Sequence, residues 1–353
     1  MLDTNSPAKK ILVVAPAWIG DMIMSNTLLH ILKQQDPNTI IDVLAPPTTA
    51  ALISRMSHVR HVILLPVTHK ELKLKARYQL AKKLRTEQYE QAIILPNTLK
   101  SALIPWLAGI PQRTGWLGEK RYLLLNDIRH APKRFPRLVQ RYAALAFAAP
   151  LKNHSDIPFE IVEHLPDPEL TVDLKNQQHL QHTFKLSTTQ PILALCPGAE
   201  YGSAKRWPVE HFAKLAQLTL SMGWHVILVG SPKDVALGAE INQQARQCCI
   251  DLTGKTSLLD AIDVLSLAHA VVSNDSGLMH IAAALQKPLI AIYGSSSPTY
   301  TPPLDKNSKI LYLGIRCSPC FKRECPLLGD DHLRCLLDIT PKKVAHALRD
   351  ILP

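Results

Sequence analysis

The sequence predicts an α/β protein built from two doubly wound parallel sheets facing one cleft, and three observations predict it. Strand-length apolar runs alternate with helical patterns, as they do when a parallel sheet is covered by helices on both faces. The alternation falters around "EHLPDPELTVDLKNQQHLQ" (163–181), where prolines and charges cluster, and then restarts. The 353 residues suffice for about two domains, each burying its own core. We therefore divide the chain into residues 1–168 and 169–353, within a linker near 165–175.

In the first half, "KKILVVAPAW" (9–18) reads as a buried strand and "DMIMSNTLLHILKQQDP" (21–37) as a helix that stops at Pro37. "TIIDVLAP" (39–46) is the next strand, residues 70–88 a polar helix rich in Lys and Arg, and "YEQAIILPN" (89–97) a strand closing in a Pro-Asn turn. In the second half, "PILALCPGAEY" (191–201) is a strand and loop, and "VEHFAKLAQLTLSMG" (209–223) a helix ended by Gly223. "WHVILVGSPKD" (224–234) is a strand and loop, "LLDAIDVLSLAH" (258–269) a helix, and "AVVSND" (270–275) and "PLIAIYGSSSP" (288–298) are strands. Open parallel sheets bind ligands at the carboxyl ends of their strands, and the polar loops of both halves lie there.

A hydrophobic content of 46% and a charged content of 20% fit a globular protein. The start "MLDTNSPAKKILVVAPAW" sets two lysines before a merely strand-length apolar run, so no signal peptide is expected. No window reaches the roughly 18 apolar residues of a membrane span, and a cytoplasmic location follows. The net charge of +11 is uneven: residues 1–165 hold 22 Lys and Arg against 12 Asp and Glu, and residues 166–353 hold 18 against 17. A first half at +10 beside a second at +1 points to a polyanion met by the first half, either nucleic acid or anionic lipid.

No G-x-G-x-x-G follows any strand, which removes the main support for a dinucleotide-dependent oxidoreductase. "GKTS" at Gly254 resembles the tail of a phosphate-binding P-loop, but Cys249 stands where that motif needs glycine. A different phosphate cradle is present in "NDSGLMH", where the Ser276 hydroxyl and the N–H groups of Gly277 and Leu278 can face an anion at a helix N-terminus. Asp275 suits sugar hydroxyls better, although Asp275 or Ser276 would also serve as an ordinary helix cap. The loop "CPGAEYGSAKRWP" (196–208) offers Lys205 or Arg206 to neutralise a diphosphate without a metal. In "PAWIGDMIM" (16–24), Asp21 begins a helix as an N-cap or stands ready as a general base.

These loops resemble those of the ADP-heptose:lipopolysaccharide heptosyltransferases, inverting enzymes of the two-Rossmann-domain GT-B fold. The resemblance rests on "PAWIGDMIMSNTLL", "DVLAPP", "LPNTLKSALIPWLAGIPQRTGWLGEKRYLLLND", "CPGAEYGSAKRWP" and "NDSGLMHIAAAL", and runs from about residue 10 to 304. It implies an N-terminal acceptor-binding domain and a C-terminal domain for the nucleotide sugar. It implies transfer of L-glycero-D-manno-heptose from ADP-heptose to the first heptose of heptosyl-Kdo₂-lipid A, at the inner face of the inner membrane, with no metal. By the same resemblance Asp21 matches the catalytic base, Lys205 the residue on the diphosphate, and Asp275, Ser276, Gly277 and His280 the donor turn. Asp234 would hold the ribose, and the loop 252–257 would flank adenine. The anionic acceptor would account for the basic half, through Lys100, Arg113, Lys120, Arg121, Arg137 and Arg141.

The tail departs from that pattern. "CSPCFKRECPLLGDDHLRC" spaces Cys317, Cys320, Cys325 and Cys335 as C-x2-C-x4-C-x9-C, suited to a structural zinc or left as free thiols. Cys196, Cys248 and Cys249 read as small apolar residues. Other readings are a GT-B enzyme with another nucleotide sugar or acceptor, and a non-catalytic binder of nucleotide sugar or polyanion. A nucleic-acid partner is not expected, because no recognised motif accompanies the charge and aromatics do not interleave with it. The sequence leaves the oligomeric state open.

Overall fold

The computed structural model describes residues 8–66, 72–148, 164–187 and 189–352. The chain divides into two compact units, Met1–Glu169 and Leu170–Pro353, one residue beyond the division drawn from the sequence.

The first unit runs β1 (Lys10–Val14), α1 (Ile19–Gln35), β2 (Ile40–Ala45), α2 (Pro47–Ile53), β3 (His61–Leu64), α3 (Leu74–Arg85), β4 (Gln91–Ile94), α4 (Leu99–Leu107), β5 (Gln112–Trp116), β6 (Asp127–Arg129) and α5 (Leu138–Ala143). The second runs α6 (Leu174–Thr183), β7 (Ile192–Cys196), α7 (Val209–Leu220), β8 (His225–Leu228), α8 (Val235–Gln244), β9 (Cys249–Asp251), α9 (Leu258–Leu267), β10 (Ala270–Asn274), α10 (Gly277–Ala284), β11 (Leu289–Tyr293), β12 (Ser308–Tyr312), α11 (Arg334–Leu337) and α12 (Pro341–Ile351).

Each unit holds a six-stranded sheet, ordered β3-β2-β1-β4-β5-β6 and β12-β11-β10-β7-β8-β9, and every pairing is parallel. Counted from its own first strand, each sheet has the same doubly wound order, which reverses between β1 and β4 and between β7 and β10. Central strands are apolar without alternation because helices cover both faces, so "ILVV" of β1 and "ILALC" of β7 are buried. The switch points put the loops after β1, β7 and β10 where such sheets take ligands.

Some elements differ from the expectation. The polar helix placed at 70–88 is α3, and its first two expected positions lie outside the described residues. The segment where the pattern falters contains a helix, α6, capped by the Asp173 side chain on the N–H groups of Lys175 and Asn176. It docks on α9 through polar contacts, with Asn176 Nδ2 donating to Asp260 Oδ1 at 2.9 Å and Asp263 Oδ2 at 2.8 Å, so it carries no apolar stripe to betray it. Among the described residues no helix is long and apolar enough to cross a membrane.

Candidate active-site loops

In the second unit, neighbouring strands β7 and β10 deliver two loops side by side. Asn274, the last residue of β10, joins them: its Oδ1 accepts from Trp207 N at 2.9 Å and its Nδ2 donates to Pro197 O at 2.7 Å. Trp207 is itself fixed in the core, where its Nε1 donates to Ile339 O. Between these anchors the loop 197–207 carries Lys205, whose Nζ lies 2.5 Å from Asp275 Oδ2. The carboxylate is buried and the ammonium only 19% exposed, so the pair stands in a partly desolvated place where charge interactions are stronger than in water. Lys205 Nζ also lies 5.4 Å from the centre of the Tyr201 ring.

Ser276 is the N-cap of α10 and adopts extended backbone, yet its side chain makes no capping bond. Its Oγ stands 3.3 Å from Ser273 Oγ instead. The first N–H groups of α10 therefore lack the side-chain oxygen that commonly satisfies them, beside a cation and at the positive end of a helix dipole. His280, on the first turns of the same helix, is buried. Burial, aided by Lys205 and opposed by Asp275, drives its pKa down to about 4, so the imidazole is neutral near pH 7.

Asp234 serves the chain's own backbone. Its Oδ2 accepts from Ser231 N at 2.9 Å and Ser231 Oγ at 2.7 Å, and the residue is buried. It borders the Lys205 loop, because a Cβ at Gly198 would stand 2.5 Å from that same oxygen. The loop 252–257 adjoins it through Gly254 N, which donates to Gly230 O.

In the first unit, α1 begins at Ile19 with Trp18 as its N-cap, so Asp21 is not a cap. It is the third residue of the helix, half-buried in the first turn, where a carboxylate suits the helix dipole. Like the loops after β7 and β10, it follows a strand at the point where the sheet order reverses.

The six basic residues expected to meet the acceptor do not form one surface cluster. Arg121 is buried, not a surface charge: its Nη1 donates to Pro96 O, Thr98 O and Ser101 Oγ and its Nη2 to Trp116 O, at 2.7–3.1 Å. Burial, partly offset by Glu119, lowers its pKa to about 10, which leaves it charged at neutral pH. Arg113 donates to Leu124 O and Ile110 O, and Arg141 to Phe135 O. These three guanidiniums serve loop carbonyls of their own unit, whereas Lys120 and Arg137 are exposed and Lys100 half-buried.

None of the seven cysteines is in a disulfide. Cys317, Cys320, Cys325 and Cys335 line one small cavity together with Ala204. Burial, then the three neighbouring thiols, push Cys335 up to about 11, and Leu333 N donates to Cys325 Sγ at 3.4 Å. As they stand, no three or more His, Cys, Asp or Glu among the described residues are arranged to hold a metal ion. The tail supports the Lys205 loop: Ala204 N donates to Arg323 O at 3.0 Å and Tyr201 Oη to Phe321 O at 2.9 Å. A Cβ on Gly202 would fall onto the Arg323 carbonyl, so only glycine permits this approach. Cys196 is wholly buried in β7 and its thiol is pushed far up by burial, as is that of Cys249.

Asn274, Tyr201 and Arg323 were not singled out from the sequence. Asn274 lies within "NDSG", where a polar residue ending a buried strand is a signal; the other two carry none.

Residues 77–329 match glycosyltransferase family 9 (heptosyltransferase). The chain is 46% identical to lipooligosaccharide heptosyltransferase 2 of Haemophilus influenzae, over 97% of this chain and 99% of that one. It is 42% identical to lipopolysaccharide heptosyltransferase 2 of Escherichia coli K12, over 97% and 98%. The solved structure of the E. coli ADP-heptose lipopolysaccharide heptosyltransferase II superposes with a TM-score of 0.83 at 40% identity, over 97% of this chain and 98% of that one.

Proposed function

We propose, because the chain belongs to glycosyltransferase family 9, the heptosyltransferases, that it is a heptosyltransferase of the second type, moving heptose to the inner core of lipopolysaccharide. The donor is ADP-L-glycero-β-D-manno-heptose and the acceptor the first heptose of heptosyl-Kdo₂-lipid A. The enzyme works at the inner face of the inner membrane. The observation that carries the donor half of this reading is the Lys205–Asp275 pair beside the uncapped start of α10.

A diphosphate complements the Lys205 ammonium and the uncapped helix start, whose positive charge Asp275 otherwise balances. On arrival Lys205 turns part of its charge from Asp275 to the phosphates, and the N–H groups at the start of α10 receive the remainder. Asp275 then orients the ammonium and accepts from a sugar hydroxyl. The neutral His280 adds no second cation, so the site is not overcharged once ADP has left. As the anomeric bond breaks, charge grows on the leaving ADP, and these groups are already oriented to stabilise it. Asp21 takes the proton of the attacking acceptor hydroxyl, worth about 10²- to 10⁴-fold in rate. Attack from the face opposite ADP inverts the anomeric centre. With Lys205 and a helix dipole on the diphosphate, we propose that transfer needs no metal.

Purified protein mixed with ADP-heptose and heptosyl-Kdo₂-lipid A should yield an acceptor heavier by one heptose in the mass spectrum. Preference for another nucleotide sugar would replace the donor. Tight ADP-heptose binding with no transfer would leave a non-catalytic binder.

A further inference from the structure

The carboxyl edge of the first sheet is greasy as well as basic. Leu72, Leu74 and Tyr78 at the start of α3, Leu99 at the start of α4, and Tyr122 and Leu123 in the loop after β5 are 42–87% exposed. Single exposed apolar side chains are ordinary, but a contiguous group of large ones marks a surface that something covers.

The group is contiguous because buried arginines tie its three elements together. Arg77 donates to Leu72 O at 2.6 Å and to Lys100 O at 3.1 Å, joining the start of α3 to the start of α4. Arg121 joins the loop after β5 to Pro96 O and Thr98 O, and Glu119 in that loop accepts from Leu99 N at 2.6 Å. These six side chains therefore stand on a braced platform.

Charge identifies the occupant. Residues 72–86 hold six Lys and Arg and no Asp or Glu. Leu72, Lys73, Leu74 and Lys75 alternate apolar with basic where α3 begins, Tyr78 follows one turn on, and all five are exposed. Cations interleaved with leucine and tyrosine on one face suit the boundary between phospholipid headgroups and acyl chains. Neutralising a soluble polyanion would need the lysines but not the leucines.

We propose that this face, at the carboxyl edge of the first sheet, docks the chain on an anionic phospholipid bilayer. The proposal rests on the functional reading above, in which the acceptor is anchored in a membrane. It adds the surface and its orientation: the face shares its sheet edge with the loop after β1, which carries Asp21, so docking brings the base to the plane from which the acceptor projects.

The test uses vesicles of phosphatidylglycerol and phosphatidylcholine in equal parts against pure phosphatidylcholine. Wild-type protein should sediment with the former only, and salt should weaken the binding. Lys73→Glu with Lys75→Glu should weaken it by more than about tenfold, at about fivefold for each lysine lost. Leu72→Ser with Leu74→Ser and Leu123→Ser should weaken it comparably while thermal melting is unchanged. Both variants should keep wild-type turnover on an acceptor from which the acyl chains have been removed. Failure of wild-type protein to bind the anionic vesicles, or full binding by both variants, would overturn the proposal. So would a wild-type dimer that either variant dissolves, or a preference for DNA over the vesicles. Vesicle binding lost in the variants, with no transfer to any acceptor by wild-type protein, would count against the functional reading and leave the docking face standing.

Discussion

After β1, Asp21 sits in the first turn of a helix in a unit whose strand ends expose leucine, tyrosine and lysine. After β10, in a sheet of the same strand order, Asp275 is buried against Lys205, and the loops around it are pinned by Asn274, Trp207 and the tail. One topology thus supports two kinds of strand end. The first unit offers an open, basic and apolar rim, which in the proposed function receives a large acceptor that arrives on a surface. The second offers a tight place, which in the proposed function receives the diphosphate. Fold alone would have assigned them the same work.

The largest effect of a single substitution on stability is expected at the buried arginine of the first unit, which serves its own loops and not an acceptor. Arg121→Ala should strip the buried Trp116 O of the guanidinium and leave Pro96 O and Thr98 O with Ser101 alone, at a cost on the order of 2 kcal/mol, read as a lower urea midpoint. A normal midpoint with a raised acceptor KM would return Arg121 to the surface. Acid should act on the second unit next. The unfolded chain protonates His280 below 6.5, whereas the native chain does so only near 4. Stability is therefore full above pH 6.5 and falls as pH drops toward 4, by about 3 kcal/mol in all. His280→Asn should flatten that decline in a urea series taken on either side of the window. An unchanged decline would mean that another group causes it.

Two substitutions sharpen the division between chemistry and binding. Asp21→Asn should lower kcat by at least about 10² with the ADP Kd unchanged by calorimetry. Lys205→Ala should raise the ADP Kd roughly tenfold and slow transfer, because one charge-assisted contact is lost. The reverse pattern in the pair would exchange the roles of the units. The smallest effect on turnover is expected from the tail thiols, which enter no step. We keep a structural zinc there as a proposal: protein purified without chelators should contain about one zinc per chain, lost in Cys335→Ser together with stability. Zinc-free protein of full stability would end it.

The sheets were legible because central parallel strands must be apolar on both faces, and "ILVV", "ILALC" and "PLIAIY" say so without ambiguity. The outer strands were not. "QRTGW" of β5 and "DIR" of β6 are polar and short, and pairing with a neighbour, not hydrophobicity, makes them strands. Helix α6 escaped notice for the same reason. Within the candidate site, the turn residues stand in one short motif. The Lys205–Asp275 contact spans 70 positions and the supports of the loop span more, so no local pattern carries them. Arg121 shows the opposite limit: the sequence displays a charge, and only the folded loop displays the carbonyls that consume it.

The bond from Tyr201 to Phe321 reaches across 120 positions of chain. A ribosome needs on the order of ten seconds to cover that distance. Strand β7 and its loop are thus made well before the segment that holds the loop in place. Until residues 321–323 emerge, the nascent chain can anchor the loop through Asn274 but lacks the tail's two bonds and the carbonyl against which Gly202 packs. The full bracing of the Lys205 loop is therefore acquired only after residues 321–323 have been made.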